Sequence, residues 1–134
     1  MRVFESNELT IDYFADKSYF KVFRHGKMEI SEDEYKSLML KWAKEIKFYK
    51  PTFQLVSYMN YYKPIAPDMQ IWINENLVGP AFSAGMKKVA FIISRDFYMQ
   101  VSLEQTMKEK EGQKFKIKYF DNEVEAENWL FEEE

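Results

Sequence analysis

The stretch KKVAFIIS, residues 87–94, is apolar without interruption through its middle. A strand of that kind offers no polar face to water, so it must be buried on both sides. Such burial needs a layer above and a layer below a sheet, and crossover helices are the usual covering layers in a chain that alternates strands with helices. The rest of the sequence alternates in that way.

LTIDYF (9–14) and SYFKVFRH (18–25) are rich in strand formers, and the short polar link ADK between them predicts a β-hairpin. MRVF at the start adds a short strand. Ser31 followed three residues later by Glu34 reads as a capping box. Tyr35, Leu38, Met39, Trp42, Ile46 and Tyr49 then recur at helical spacing until Pro51 closes the helix. Lys41, Lys44, Lys47 and Lys50 fall off that stripe and form a solvated face. TFQLVSYM (52–59) predicts a strand. Pro67 suits the first turn of a helix, where its missing amide costs nothing. Met69, Trp72, Ile73 and Leu77 share one face, Gly79 and Pro80 are expected to interrupt that helix, and AFSAG predicts a further turn ending at Gly85.

After the apolar strand, the second half of RDFYMQVSLEQTMKEKEG predicts a helix with Ser102 and Gln105 as a second capping box. KFKIKYF alternates lysine with apolar residues, as a half-exposed edge strand does, and its lysines discourage further pairing. Asp121 or Asn122 caps a last helix, EVEAENWLF, expected to turn Val124, Ala126, Trp129 and Leu130 inward. The reading is an α/β domain spanning 1–134, with a mixed, mainly parallel sheet, an N-terminal antiparallel hairpin and about four helices.

Composition narrows the chemistry. With 134 residues, 46% hydrophobic and 18% aromatic, the chain has material for one well-packed core. Nineteen Lys and Arg against 22 Asp and Glu leave a net charge of −3, which gives no broad basic field for nucleic acid. There is no cysteine and one histidine, His25, so thiolate chemistry, catalytic triads and multi-histidine metal sites are outside its reach. Glycines at 26, 79, 85 and 112 are too dispersed for a phosphate loop. No catalytic residue, metal ligand or cofactor is assigned. The N-terminal residues carry no visible secretory signal and no apolar run is long enough to cross a bilayer, so a cytoplasmic protein without membrane insertion is expected.

The segments ISEDEY…LKWAKEIKFYKPTFQLV, PDMQIWINENLV, GMKKVAFIIS, VSLEQTM and YFDNEVEAENWL, taken in order, resemble small single-domain proteins of the STAS or SpoIIAA-like fold. Those are bacterial α/β domains related in shape to anti-anti-sigma factors and to CRAL-TRIO lipid carriers. The resemblance runs from about residue 9 onward, and the aromatic strand followed by an acidic helix closing in Trp-Leu is its most characteristic piece. It implies a noncatalytic regulatory or protein-interaction module, partnered by another protein or by a second copy in a homodimer. The likeness to lipid carriers implies an alternative, a carrier or sensor of a small apolar ligand, with eight methionines and 24 aromatics to line a cavity. A third reading, an enzyme, would need two converging carboxylates or an activated hydroxyl in a deep pocket. Anti-anti-sigma factors carry a phosphorylatable Ser or Thr after the strand matching 52–59. Here no Ser or Thr occurs from Tyr58 through Trp72, so the phosphoswitch is not expected.

In open α/β sheets, ligands sit beyond the carboxyl ends of parallel strands. Those ends carry Asn60, Tyr61 and Tyr62, then Ser94, Arg95 and Asp96, then Asp121 and Asn122. Ser94, Asp96, Asp121 and Asn122 read either as caps or as site residues, and Arg95 either as an anion clamp or as a surface ion pair. SYMNYYKPIAPD (57–68) is a proline-stiffened aromatic corner, with Tyr58 near the core and Tyr61 and Tyr62 as the rim of a recognition surface.

Overall fold

Three short antiparallel strands open the chain. β1 (Arg2–Glu5) pairs with β2 (Leu9–Phe14), and β2 pairs with β3 (Tyr19–His25) across a 3-10 turn at Ala15–Lys17. The computed structural model describes residues 1–25, 31–60, 67–93 and 116–132. Ser18 leaves the turn in the left-handed region, with φ of 51°. Its hydroxyl and carbonyl then accept from the Thr52 amide at 3.0 and 2.8 Å, which ties the start of β3 to the start of β4 (Phe53–Asn60). From β3 onward pairing is parallel, through β4 and β5 (Lys88–Ile92) to β6 (Lys116–Phe120). The six strands lie side by side in sequence order. The mixed, mainly parallel α/β sheet with an antiparallel entry is the architecture that the sequence predicts. The apolar strand is β5, and all five of its residues are buried.

α1 (Glu32–Tyr49) forms where the stripe and cap predict it. Ser31 Oγ accepts from the Glu34 amide at 3.1 Å, satisfying one orphan donor of the first turn. The reciprocal half of the box differs, because the Ser31 hydroxyl donates to Glu34 Oε1 at 3.2 Å. Met39, Trp42 and Ile46 are buried, while Lys41, Lys44, Lys47 and Lys50 are exposed as expected. Replacing Ser31 with alanine should cost about 1 kcal/mol, read as a lowered urea midpoint. An unchanged midpoint would mean that the cap contributes nothing to the helix.

The Gly79–Pro80 pair does not stop the second helical segment, and this corrects the expected interruption. α2 (Pro67–Ile73) runs through a π-helical turn (Asn74–Val78) into α3 (Gly79–Ser83). Gly79 holds right-handed helical angles and donates to the Asn74 carbonyl, a bond one residue longer than the α-helical one. A proline inside a regular helix clashes with the carbonyl four residues back and lacks an amide. The wide turn relieves that conflict, and the Asn76 side chain donates to the Trp72 carbonyl at 2.9 Å. The segment then ends at Gly85 as predicted, with φ of 100°. Gly85 and Met86 donate to the Phe82 and Ala81 carbonyls at 3.0 and 3.2 Å, the pairing of a Schellman end.

The β3–β4 and β4–β5 crossovers step the same way along the sheet, so the right-handed rule puts α1 and the α2–α3 segment on one face. Their buried side chains, among them Trp42, Ile46, Ile73 and Leu77, pack there on Phe20, Val22, Val56 and Phe91. α4 (Glu123–Leu130) covers the other face, with Ala126 and Leu130 against Tyr19, Leu55, Ala90 and Ile92. Asn122 settles the choice of cap, since its Oδ1 accepts from the Glu125 amide at 2.9 Å. Val124 was expected inward and is instead 69% exposed. Two residues of helix turn it about 200° from the buried Ala126, so the two cannot share a face. The predicted helix between β5 and β6, with Ser102 and Gln105, lies outside the described residues. Among the described residues no helix is long and apolar enough to cross a membrane.

Candidate functional site

Side chains alternate along β3, so Phe20, Val22 and Arg24 point to the face that α1 covers. The first two belong there by hydrophobicity. Arg24 is a cation in the same row and is only 2% exposed, one residue before β3 ends at His25. Aromatic faces surround it. The guanidinium carbon lies 5.5 Å from the ring centre of Tyr35, 5.6 Å from that of Tyr58 and 5.9 Å from that of Trp42. A guanidinium is planar and weakly hydrated, and it stacks on rings at less cost than an ammonium would. Each ring contact contributes about 0.5–2 kcal/mol according to how dry it is.

Three elements position this box. Tyr35 comes from the first turn of α1 and Trp42 from its middle, Arg24 from the end of β3, and Tyr58 from the carboxyl half of β4. The Trp42 indole donates to Gln54 Oε1 at 3.0 Å in the buried interior, which fixes the ring and satisfies the buried Gln54 side-chain oxygen. Burial pushes the Tyr58 hydroxyl up to about 12, and the nearby Tyr35 hydroxyl pushes the same way. Arg24 acts in the opposite sense through its charge and a hydrogen bond. Tyr58 is thus neutral at ordinary pH, and its oxygen accepts from the guanidinium. The Tyr35 hydroxyl is buried and has no hydrogen-bond partner among the described residues. Such an atom is a position where a water or a ligand oxygen would be held. One helical turn apart, Gln70 and Asn74 are also buried polar side chains on the helix-covered side.

On the opposite face the polar contacts anchor α4. The Tyr19 hydroxyl donates to Glu127 Oε2 at 2.9 Å, and Lys21 pairs with Glu123 at 2.8 Å and with Glu127 at 3.6 Å. Burial, then the bond to Glu127, raise the Tyr19 pKa. Burial opposes the charged form of Lys21, yet the two glutamates outweigh it and its pKa is raised. His25 ends β3, as its place before Gly26 predicts, with its Nε2 3.3 Å from Thr10 Oγ1. Among the described residues no group of three His, Asp or Glu is placed to hold a metal ion.

Of the residues singled out in the sequence, Asn60 is the last of β4, with its backbone in register with His25. Tyr61, Tyr62, Ser94, Arg95 and Asp96 lie outside the described residues. Tyr58 is 5% exposed and belongs to the core, as predicted. Sequence reasoning missed Arg24, Tyr35, Gln54, Gln70 and Asn74. The signals were present: Arg24 is two residues from Val22 in an alternating strand, and Gln70 and Asn74 sit one turn apart beside the apolar Ile73 and Leu77. Tyr35 stands in the predicted apolar stripe of α1, and no burial is predicted for the other four. Comparison of the chain with protein-family models, with curated proteins and with solved structures finds no match.

Proposed function

We propose that this protein is a noncatalytic recognition module of the STAS-like kind, which binds another protein at the carboxyl end of its sheet. The observation that carries the reading is the box of Arg24, Tyr35, Trp42 and Tyr58 beneath the ends of β3 and β4. An aromatic-walled cation lies next to the edge where α/β sheets bind their partners. The lack of Ser and Thr from Tyr58 through Trp72 leaves the turn after β4 without the phosphoacceptor that anti-anti-sigma factors carry there, so recognition at that turn is constitutive and not switched by a kinase acting on it.

A photoreactive amino acid at position 60, at the carboxyl edge, and a second at Phe48, 76% exposed on α1, provide the test. Crosslinking in cells of the source should capture one protein from position 60 and not from position 48. Equal capture from both, or none from position 60, overturns the reading. A small molecule retained by the purified protein in native mass spectrometry would favour the carrier in its place. Arg24→Met keeps an apolar stem in the box. It should fold with a loss of no more than about 2 kcal/mol, since apolar replacement of a buried charge is often near neutral. The same variant should lower the position-60 crosslink at least about tenfold, equivalent to roughly 1.4 kcal/mol. A folded variant with an undiminished crosslink would make Arg24 scaffold alone.

A further inference from the structure

The opposite edge of the sheet carries a second arrangement, independent of the one above. Where β4, β5 and β6 begin, Phe53, Phe82 and Met86 line a cleft of about 410 Å³ together with Lys87, Lys88 and Lys116. Glu132 completes the polar part of the lining. The volume lies within the roughly 300–1,000 Å³ of small-molecule sites.

The cleft is built by the fold. The Schellman end at Gly85 turns the chain so that Met86, 3% exposed, enters the core, and the Lys87 amide then donates to the Thr52 carbonyl at 2.8 Å. Lys88 and Lys116 are register partners on adjacent parallel strands, which places two like charges side by side on one face. Lys88 is only 7% exposed. Its Nζ donates to the Trp129 carbonyl at 3.1 Å, at the carboxyl end of α4, and lies 5.0 Å from the centre of the Trp129 ring. On a chain with a net charge of −3, lysines outnumber carboxylates three to one among the described residues of this lining. Anchoring α4 accounts for Lys88. Lys87, Lys116 and Phe82, the last 40% exposed, keep exposed surface in the same lining.

We propose that this cleft binds a small phosphomonoester with an apolar body, the dianionic head among Lys87, Lys88 and Lys116 and the body on Phe53, Phe82 and Met86. A dianion matches the cationic lining better than a monoanion does. The apolar wall adds affinity that a bare anion cannot gain.

The test uses full-length protein with methyl-labelled methionine at pH 7.5, where a phosphomonoester is largely dianionic. The Met86 resonance is assigned with Met86→Leu. Titration with 1-naphthyl phosphate should shift that methyl saturably. Inorganic phosphate, 1-naphthol and the monoanion 1-naphthoate should each bind at least about tenfold more weakly, equivalent to roughly 1.4 kcal/mol. Lys87→Glu combined with Lys116→Glu should weaken 1-naphthyl phosphate by at least the same factor. Should that pair fail to fold, Lys87→Gln alone, at an exposed side chain, should still weaken it measurably. No saturable shift, equal binding of any one of the three control compounds, or full affinity in a folded lysine variant overturns the proposal. None of these outcomes bears on crosslinking at the carboxyl edge.

Discussion

Trp42→Ala should destabilise the protein by about 3–5 kcal/mol, the range for removing a large aromatic side chain from a packed core. Trp42 is 3% exposed in the middle of the α1 stripe, between Met39 and Ile46. Its loss opens a cavity against the sheet and leaves the Gln54 side-chain oxygen without the 3.0 Å indole donor in the interior. It also removes one of the three rings around Arg24. Against a typical domain stability of about 5–15 kcal/mol, that loss would leave a marginal fold. Trp42→Phe keeps most of the apolar volume and loses the hydrogen bond, so it should cost less, about 1–3 kcal/mol. Urea denaturation of both variants decides the matter. An unchanged midpoint in Trp42→Ala would mean that the ring does not anchor α1 to the sheet.

The second large effect is alkaline. In the unfolded chain Tyr58 ionises near the ordinary value of 10, whereas burial holds it up to about 12 in the fold. Between those values the unfolded state has released a proton that the folded state retains, so stability falls as pH rises. Below pH 10 both states are protonated and the contribution is complete. The loss is about 2 kcal/mol by pH 12 and approaches about 3 kcal/mol above it, at roughly 1.4 kcal/mol for each pH unit between the two pKa values. Tyr58→Phe lacks this titration but keeps Tyr19, whose pKa is also raised, so the difference between wild type and variant isolates Tyr58. That difference should be flat from pH 8 to 9 and then move against the wild type through pH 10–12. A flat difference across the whole range would show that the Tyr58 hydroxyl is hydrated in the native state.

These expectations depend on what lies around each residue, and the sequence is uneven in revealing that. α1 was legible from end to end because a cap, an apolar stripe and a closing proline all act within a few residues. The Schellman end at Gly85 was legible for the same reason. Gly79–Pro80 was read as a break because local propensity makes it one. The chain continues there because a π-helical turn supplies the missing room, and that turn lies where the segment packs against α1. Val124 was misplaced by hydrophobicity alone, against the geometry that its spacing from Ala126 already contained. Arg24 was passed over for the opposite reason, its charge outweighing the alternation that pointed it inward.

Among the described residues, the sequence by itself determined the order of strands and helices, the antiparallel entry followed by a parallel sheet, and the cap and core stripe of α1. Each follows from periodicity and turn chemistry, which neighbouring residues decide among themselves. Only the tertiary structure decided that Arg24 lies among Tyr35, Trp42 and Tyr58, and that Lys88 and Lys116 share a cleft with Phe82. Those residues come from separate elements, and the burial of a charge is tolerable only once distant partners surround it. No local pattern in the chain encodes that enclosure.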